Sequence, residues 1–399
     1  MKLTKLLLLC TLTLFKISYS QNLYEKVYQW KIPGGNYIDE TSFFSLHGYV
    51  NSVYAFESED WQEGNFNAIG APGQVLVPNT NNGSFQSDEA LWISSEISEK
   101  VSALMELHMV TAPSGLGAAG PGGLTLVLTE ANVKVKFYKK FLNVACGTFW
   151  NPFGIHNVDW LGGQNLFTTI PYASAAFPTH YNEKGLRVDG CLGNKDKIGM
   201  NYVVSIGNGY NAWDISGYQA IDNNHNKTVT GRISLFPGLK EKLNIGFSFA
   251  SGQILSGDTS LSDTTKEFYD NSFKSVGADL MLTLDKFRFR SYAIYSTKVY
   301  ESLKDDLEEN RFGIMGEVSY RLNIEKFNII ESFEPKIRFD FFQGQEFRDL
   351  SYNQFSSISI GSIFNFNDNS YISVDYNFLN ERDKILKNDR LIIRITAKF

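Results

Sequence analysis

Apolar and polar residues take turns along segment after segment of this 399-residue chain, and that period of two limits its fold more than any other feature. At positions 391–399, Leu391, Ile393, Ile395, Ala397 and Phe399 fall on one side of an extended strand, and Arg394, Thr396 and Lys398 on the other. One side suits lipid and the other suits water. Over 101–110, Val101, Ala103, Met105, Leu107 and Met109 alternate in the same way with Ser102, Glu106 and His108. A single strand of this kind would also fit a soluble sandwich, so the argument rests on how often the pattern recurs.

Strands are expected at 44–56, 89–98, 101–110, 123–138, 141–150, 185–193, 198–208, 228–236, 243–251, 273–285, 287–297, 311–322, 336–342, 355–366, 370–379 and from 390, about sixteen in all. In 123–138, Thr125, Val127, Ala131, Val133, Val135 and Phe137 are expected to face lipid, leaving Glu130, Asn132, Lys134 and Lys136 inside. The period blurs over 323–335. Connections alternate between long (58–88, 111–122, 151–184, 209–227, 252–272, 298–310) and short (99–100, 139–140, 194–197, 237–242, 285–286, 367–369), as they do in outer-membrane barrels. A soluble sandwich has no reason to keep its short turns at one end.

Beyond residue 20 no run reaches the roughly 18 apolar residues that a membrane helix needs. A membrane-spanning form of this chain must therefore be a closed sheet, which satisfies its backbone groups internally. Half of each barrel strand faces water, so a mean hydropathy of -0.20 is compatible with the membrane. Aromatic residues at 14% fit the girdles of such barrels. The fold expected is all-β, a transmembrane antiparallel β-barrel. An even strand count puts both ends on the periplasmic side, and sixteen strands leave an aqueous channel.

Residues 1–20, with Lys2 and Lys5, an apolar stretch from Leu6 to Phe15 and small residues at Ser18 and Ser20, read as an export signal. Cys10 follows Leu9 within the apolar stretch, which argues against a lipoprotein anchor. Residues 21–41 are a periplasmic lead-in, and 42–399 the barrel. Losing the signal's three lysines takes the formal charge from -6 to -9, which argues against nucleic acid as a partner. Cys146 and Cys191 fall on opposite faces of neighbouring strands and are expected to be unpaired.

Leu46-His-Gly-Tyr-Val-Asn51, Gly147-Thr-Phe-Trp-Asn-Pro-Phe-Gly154 and the terminal Phe399 resemble Gram-negative outer-membrane porins, closest to phosphate-selective-porin-like β-barrels. The resemblance implies passive diffusion of small hydrophilic solutes or anions, and outer-membrane lipids as surroundings. It also implies a homotrimer, a terminal strand read by the barrel-insertion machinery, and a third extracellular loop folded inward. That loop would be 151–184, which is too aromatic for disorder. Its Asp159, Trp160, Phe167, Tyr172 and Glu183 would form the constriction, with Asp159 and Glu183 supplying negative charge.

Opposite it, the polar alternates Arg187, Arg232, Arg288, Arg290, Arg311, Arg321, Arg338, Arg394 and Lys398 would make a basic wall that favours anions. Glu130, Asp189, Asp279, Glu317, Asp340 and Asp375 also point inward, so pairing across the wall is the competing outcome. His47, His108, His156, His180 and His225 show no metal-ligand spacing, and no cofactor is expected. The run from Ser114 to Gly123 lacks the Gly-Lys-Ser/Thr ending of a phosphate loop. The chain is thus expected not to be an enzyme. Its rivals are a plugged barrel serving as an adhesin or structural protein, and a barrel hydrolase built on His156 and Asp159.

Overall fold

The computed structural model describes residues 44–57, 84–111, 124–139, 141–155, 165–177, 182–194, 198–211, 227–238, 242–256, 269–300, 307–324, 329–345, 352–381 and 389–399. The signal and lead-in assigned to 1–41 lie outside them. Sixteen long strands follow one another: β1 (Phe44–Glu57), β2 (Ser84–Ser98), β3 (Val101–Thr111), β4 (Leu124–Tyr138), β5 (Leu142–Trp150), β6 (Asn182–Asn194), β7 (Ile198–Gly207) and β8 (Thr228–Phe236). Then come β9 (Leu243–Ser256), β10 (Tyr269–Leu284), β11 (Phe287–Tyr300), β12 (Leu307–Tyr320), β13 (Ser332–Gln345), β14 (Tyr352–Asn365), β15 (Ser370–Glu381) and β16 (Arg390–Lys398). The blurred stretch 323–335 resolves into a two-residue extension, Leu322–Asn323, paired with Phe333 and Ser332 of β13.

Each long strand pairs antiparallel with its chain neighbours, and β1 pairs with β16 from Tyr49↔Lys398 to Glu57↔Arg390, so the sheet closes on itself. Closure leaves no strand edge unpaired. Short connections gather at one end of the barrel, where Lys139 and Asp285 adopt left-handed φ values of 47° and 46° to turn the chain tightly. No helix among the described residues is long and apolar enough to cross a membrane.

The two faces sort by chemistry. Exposed side chains include Leu46, Val133, Ile233, Phe247, Phe249, Val276, Ile314, Phe339, Ile358, Ile360 and Ile395, a continuous apolar belt. Their alternates include Asn132, Lys134, Arg232, Ser234, Ser248, Asp279, Glu317, Arg338, Ser359 and Arg394, all buried on the inner face. Cys146 is exposed and Cys191 buried, and both are free thiols.

One half-strand departs from the expected parity. In β4 the exposed positions near the long-loop end are Leu126 and Leu128; the side chains of Thr125 and Val127, expected outward, lie outside the described residues. The cause is a bulge: Glu106 pairs with Glu130 but Leu107 pairs with Leu128, so Thr129 is an extra residue. Thr129 and Glu130 are both buried, and the alternation resumes in the expected phase with Val133 outward.

The closing seam is tight at Gly48. Its amide donates to the Phe399 carbonyl and its carbonyl accepts from the Phe399 amide, both at 3.0 Å. A Cβ there would meet Phe399 Cζ at 2.6 Å and the Ala90 carbonyl at 2.7 Å. Gly48→Val should therefore cost about 1–3 kcal/mol, the usual price of overpacking. It would be read as a lower temperature at which the detergent-resistant folded band converts to the unfolded one, with a neutral outward substitution such as Val50→Leu as control.

Candidate functional site

The inner wall is built of charges that neutralise one another. Arg187 lies 3.4 Å from Asp189, which also faces Lys134 at 3.6 Å. Arg288 pairs with Glu334, Arg290 with Glu317 and Arg311 with Glu309. Arg321 sits in the connection after β12 and reaches Asp368 at 3.3 Å, so it belongs to the short-turn rim and not to the mid-wall.

Like Lys134–Asp189 and Arg288–Glu334, two further pairs reach across an intervening strand: Arg232 of β8 to Asp279 of β10, and Lys336 of β13 to Asp375 of β15, the latter at 2.6 Å. Between the partners of these last two pairs stands a glycine. A Cβ at Gly246 would overlap both Arg232 and Asp279, and one at Gly361 would overlap Asp375. Pairing, the competing outcome of the sequence reading, thus accounts for most of the basic residues expected to line the wall.

Wall charges, some of them members of these pairs, also hold chain segment 165–177. Arg394 donates to the Asn165 carbonyl (2.9 Å), Lys336 to that of Leu166 (2.5 Å) and Arg338 to that of Thr169 (2.6 Å). Asp375 accepts from the Thr168 amide at 2.9 Å and its hydroxyl at 2.8 Å. Asp340 accepts from the Tyr172 and Ala173 amides at 2.6 and 2.7 Å. These amides open the short 3-10 turn Tyr172–Ala176, so a carboxylate from the barrel wall satisfies the orphan donors of the turn's first residues. Lys336, Arg338 and Asp340 are successive inward positions of one strand, and they meet residues 166, 169 and 172–173 in step.

Apolar packing completes the seat. Phe153, Ile155, Ala173, Ala176 and Phe177 form one buried cluster with Ala250, Phe273, Tyr292, Ile294, Met315 and Phe342 of β9–β13. The rings of Phe153 and Phe177 stack at 4.1 Å. Phe167 lies under Lys336 and Arg338, with Nζ and Cζ at 4.5 and 4.9 Å from its centroid. Ile170 joins Tyr49, Trp92 and Leu104 of β1–β3, while Leu166 and Phe167 join Ile363 and Tyr371 of β14 and β15. The segment therefore touches three sectors of the wall.

Of the residues expected to form the constriction, Phe167 and Tyr172 lie in this seat. Asp159 and Trp160 fall outside the described residues, as do His156, His180 and His225. Glu183 is corrected: it is the second residue of β6, fully buried, and its carboxylate accepts from the Lys184 amide at 3.1 Å and the Gly209 amide at 3.0 Å. The strand begins three residues earlier than expected, and the bend after β7 needs an acceptor. Acidic residues of the inner face instead include Glu106 and Glu130, directly opposite across β3 and β4, which accept from Trp150 Nε1 (3.0 Å) and Trp150 N (3.2 Å).

Phe273, Tyr292, Ile294, Met315 and Phe342 are inner-face residues that no motif in the sequence marks. The signal was available: large apolar residues at inward positions on neighbouring strands have no place against water. Inward glycines were the second clue, because a Cβ at Gly313 would overlap Ala173 and one at Gly277 would press on Phe153 at 3.1 Å. No group of three or more His, Cys, Asp or Glu that could hold a metal is present among the described residues.

No protein-family model matches the chain. No curated protein matches it either. Solved structures do. Similar folds include in-vitro folded OmpT of Vibrio cholerae, an outer membrane protein in its trimer form (TM-score 0.55, 8% identity, 89% of this chain and 99% of that one). OmpF of Salmonella typhi in complex with daunomycin gives TM-score 0.55 at 12% identity over 89% and 97% of the two chains. The outer membrane channel DcaP of Acinetobacter baumannii gives 0.55 at 10% over the same shares. The chain has the fold of outer-membrane porin barrels.

Asp340→Asn keeps the shape of the seat but removes the charge that receives two amides, a loss of about 1.5–3 kcal/mol for hydrogen bonds to a charged group. The expected readout is faster hydrogen exchange at the Tyr172 and Ala173 amides with the β12–β13 amides unchanged. Gly313→Leu, which puts a side chain where Ala173 sits, should accelerate the same two amides further.

Proposed function

We propose that this barrel is an outer-membrane porin through which small hydrophilic solutes diffuse passively, with residues 151–155 and 165–177 narrowing its lumen. The observation that carries the reading is a closed sixteen-strand wall whose inner face is polar and charged while its outer face is an apolar belt. Size selection falls to the segment seated on Lys336, Arg338, Asp340, Asp375 and Arg394. Arg338, bonded to Thr169 and Ser359, and Lys398, over the Tyr371 ring at 5.2 Å, remain as wall cations and favour anions weakly. The trimer form of the Vibrio cholerae neighbour supports a homotrimer here.

A second reading, a barrel plugged by its own chain, is favoured by one observation. Phe153, Phe177, Phe273, Tyr292 and Phe342 are 5% exposed or less, a dry core inside the barrel. Planar-bilayer recording separates the two. The porin gives stable conductance steps that grow in Gly313→Leu, whereas a plugged barrel gives no steps in the native protein. A reversal potential in a salt gradient should show a small anion preference; a cation preference would remove the role given to Arg338 and Lys398.

A further inference from the structure

The two rims of the barrel carry opposite charge. The seven short connections (99–100, 139–141, 195–197, 237–242, 285–286, 321–331 and 366–369) contain ten Lys or Arg against seven Asp or Glu. The eight long ones (58–83, 112–123, 151–181, 208–227, 257–268, 301–306, 346–351 and 382–389) contain seven against sixteen. A surface of negative headgroups would therefore be drawn to one rim and repelled by the other.

We propose that the short-turn rim is a binding surface for anionic phospholipid headgroups. Lys100, Lys242 and Lys286 stand on a fixed frame, because their turns are tied to the next strand along the rim. The Lys100 carbonyl accepts from the Lys136 amide (2.8 Å), that of Lys242 from Thr283 (2.7 Å), and that of Lys286 from Arg321 (2.8 Å). Some of the cations are occupied: Lys136 pairs with Glu96 at 3.2 Å, Lys242 with Asp285 at 3.1 Å and Arg321 with Asp368 at 3.3 Å. Lys100, Lys139 and Lys286 are exposed and make no ion pair among the described residues.

Each of these three follows an apolar anchor by one to three residues: Ile97 before Lys100, Phe137 and Tyr138 before Lys139, and Leu284 before Lys286. Phe137 and Tyr138 are 64% and 61% exposed, too much apolar surface to leave facing water. An acyl chain lying on the anchor brings its phosphate to the ammonium group just beyond, and the aliphatic stem of lysine covers the boundary between them. A neutral zwitterionic lipid satisfies the anchors but gains less from the cations.

The test uses the full-length barrel equilibrated in detergent with equimolar phosphatidylglycerol and phosphatidylcholine, the co-purifying lipids being counted after gel filtration. Phosphatidylglycerol should be retained severalfold over phosphatidylcholine, and the excess should shrink as salt rises. Combining Lys100→Gln, Lys139→Gln and Lys286→Gln should reduce that excess by up to about fivefold per lysine, while the heat-modifiable folded band and the conductance stay as in the native protein. Equal retention of the two lipids, an excess that survives the triple substitution, or stronger retention of added lipopolysaccharide than of phosphatidylglycerol would each overturn the proposal. Because conductance is read separately, a barrel that retains phosphatidylglycerol yet gives no current would count against the porin reading alone.

Discussion

A backbone amide or carbonyl left without a partner in hydrocarbon costs several kcal/mol, and no helix among the described residues is long and apolar enough to avoid that cost. The pairing of β1 with β16 is the step that removes the last two open edges, so the cylinder depends on the fit at Gly48 and Phe399. Everything else follows from closure. Once the sheet is a tube, its period of two becomes a division between a lipid-facing belt and an interior, and the interior must be filled by water, by ions in pairs, or by the chain itself.

This barrel uses the chain and the pairs together. Charges on β13, β15 and β16 do not face an empty lumen but hold main-chain groups of residues 165–173, and inward aromatics on β10–β13 cover Phe153 and Phe177. Glycines make room for part of this. Gly246 and Gly361 let long side chains cross a strand to their counter-ions, and Gly277 and Gly313 let the inner segment lie close to the wall. Removing one member of a crossing pair such as Arg232–Asp279 leaves a buried charge, an effect of about 3–5 kcal/mol.

The strands were legible in the sequence because lipid on one side and polar groups on the other impose a period that short segments already display. Thr228–Phe236 and the start of β16 at Arg390 fall where alternation puts them. Ends were less legible: β10 begins at Tyr269 and β13 at Ser332, each four residues before the expected start, because pairing continues past the belt where no solvent contrast marks it. The bulge at Thr129 was hidden because an extra residue leaves no trace in composition, only a shift of phase. At the site, inward arginines could be picked out from parity alone. Their partners could not, since Asp279 and Asp375 are two strands away from the cations they meet, and parity says nothing about distance around the circumference.

The wall grips segment 165–173 largely by its carbonyls and amides, and peptide groups are the same whatever side chain they carry. A residue such as Asn165, held through its carbonyl, can therefore be exchanged during evolution while the anchorage persists, provided that the backbone keeps its path. A lineage could reshape the interior of its barrel by rewriting this short stretch, with the strands that hold it left as they are.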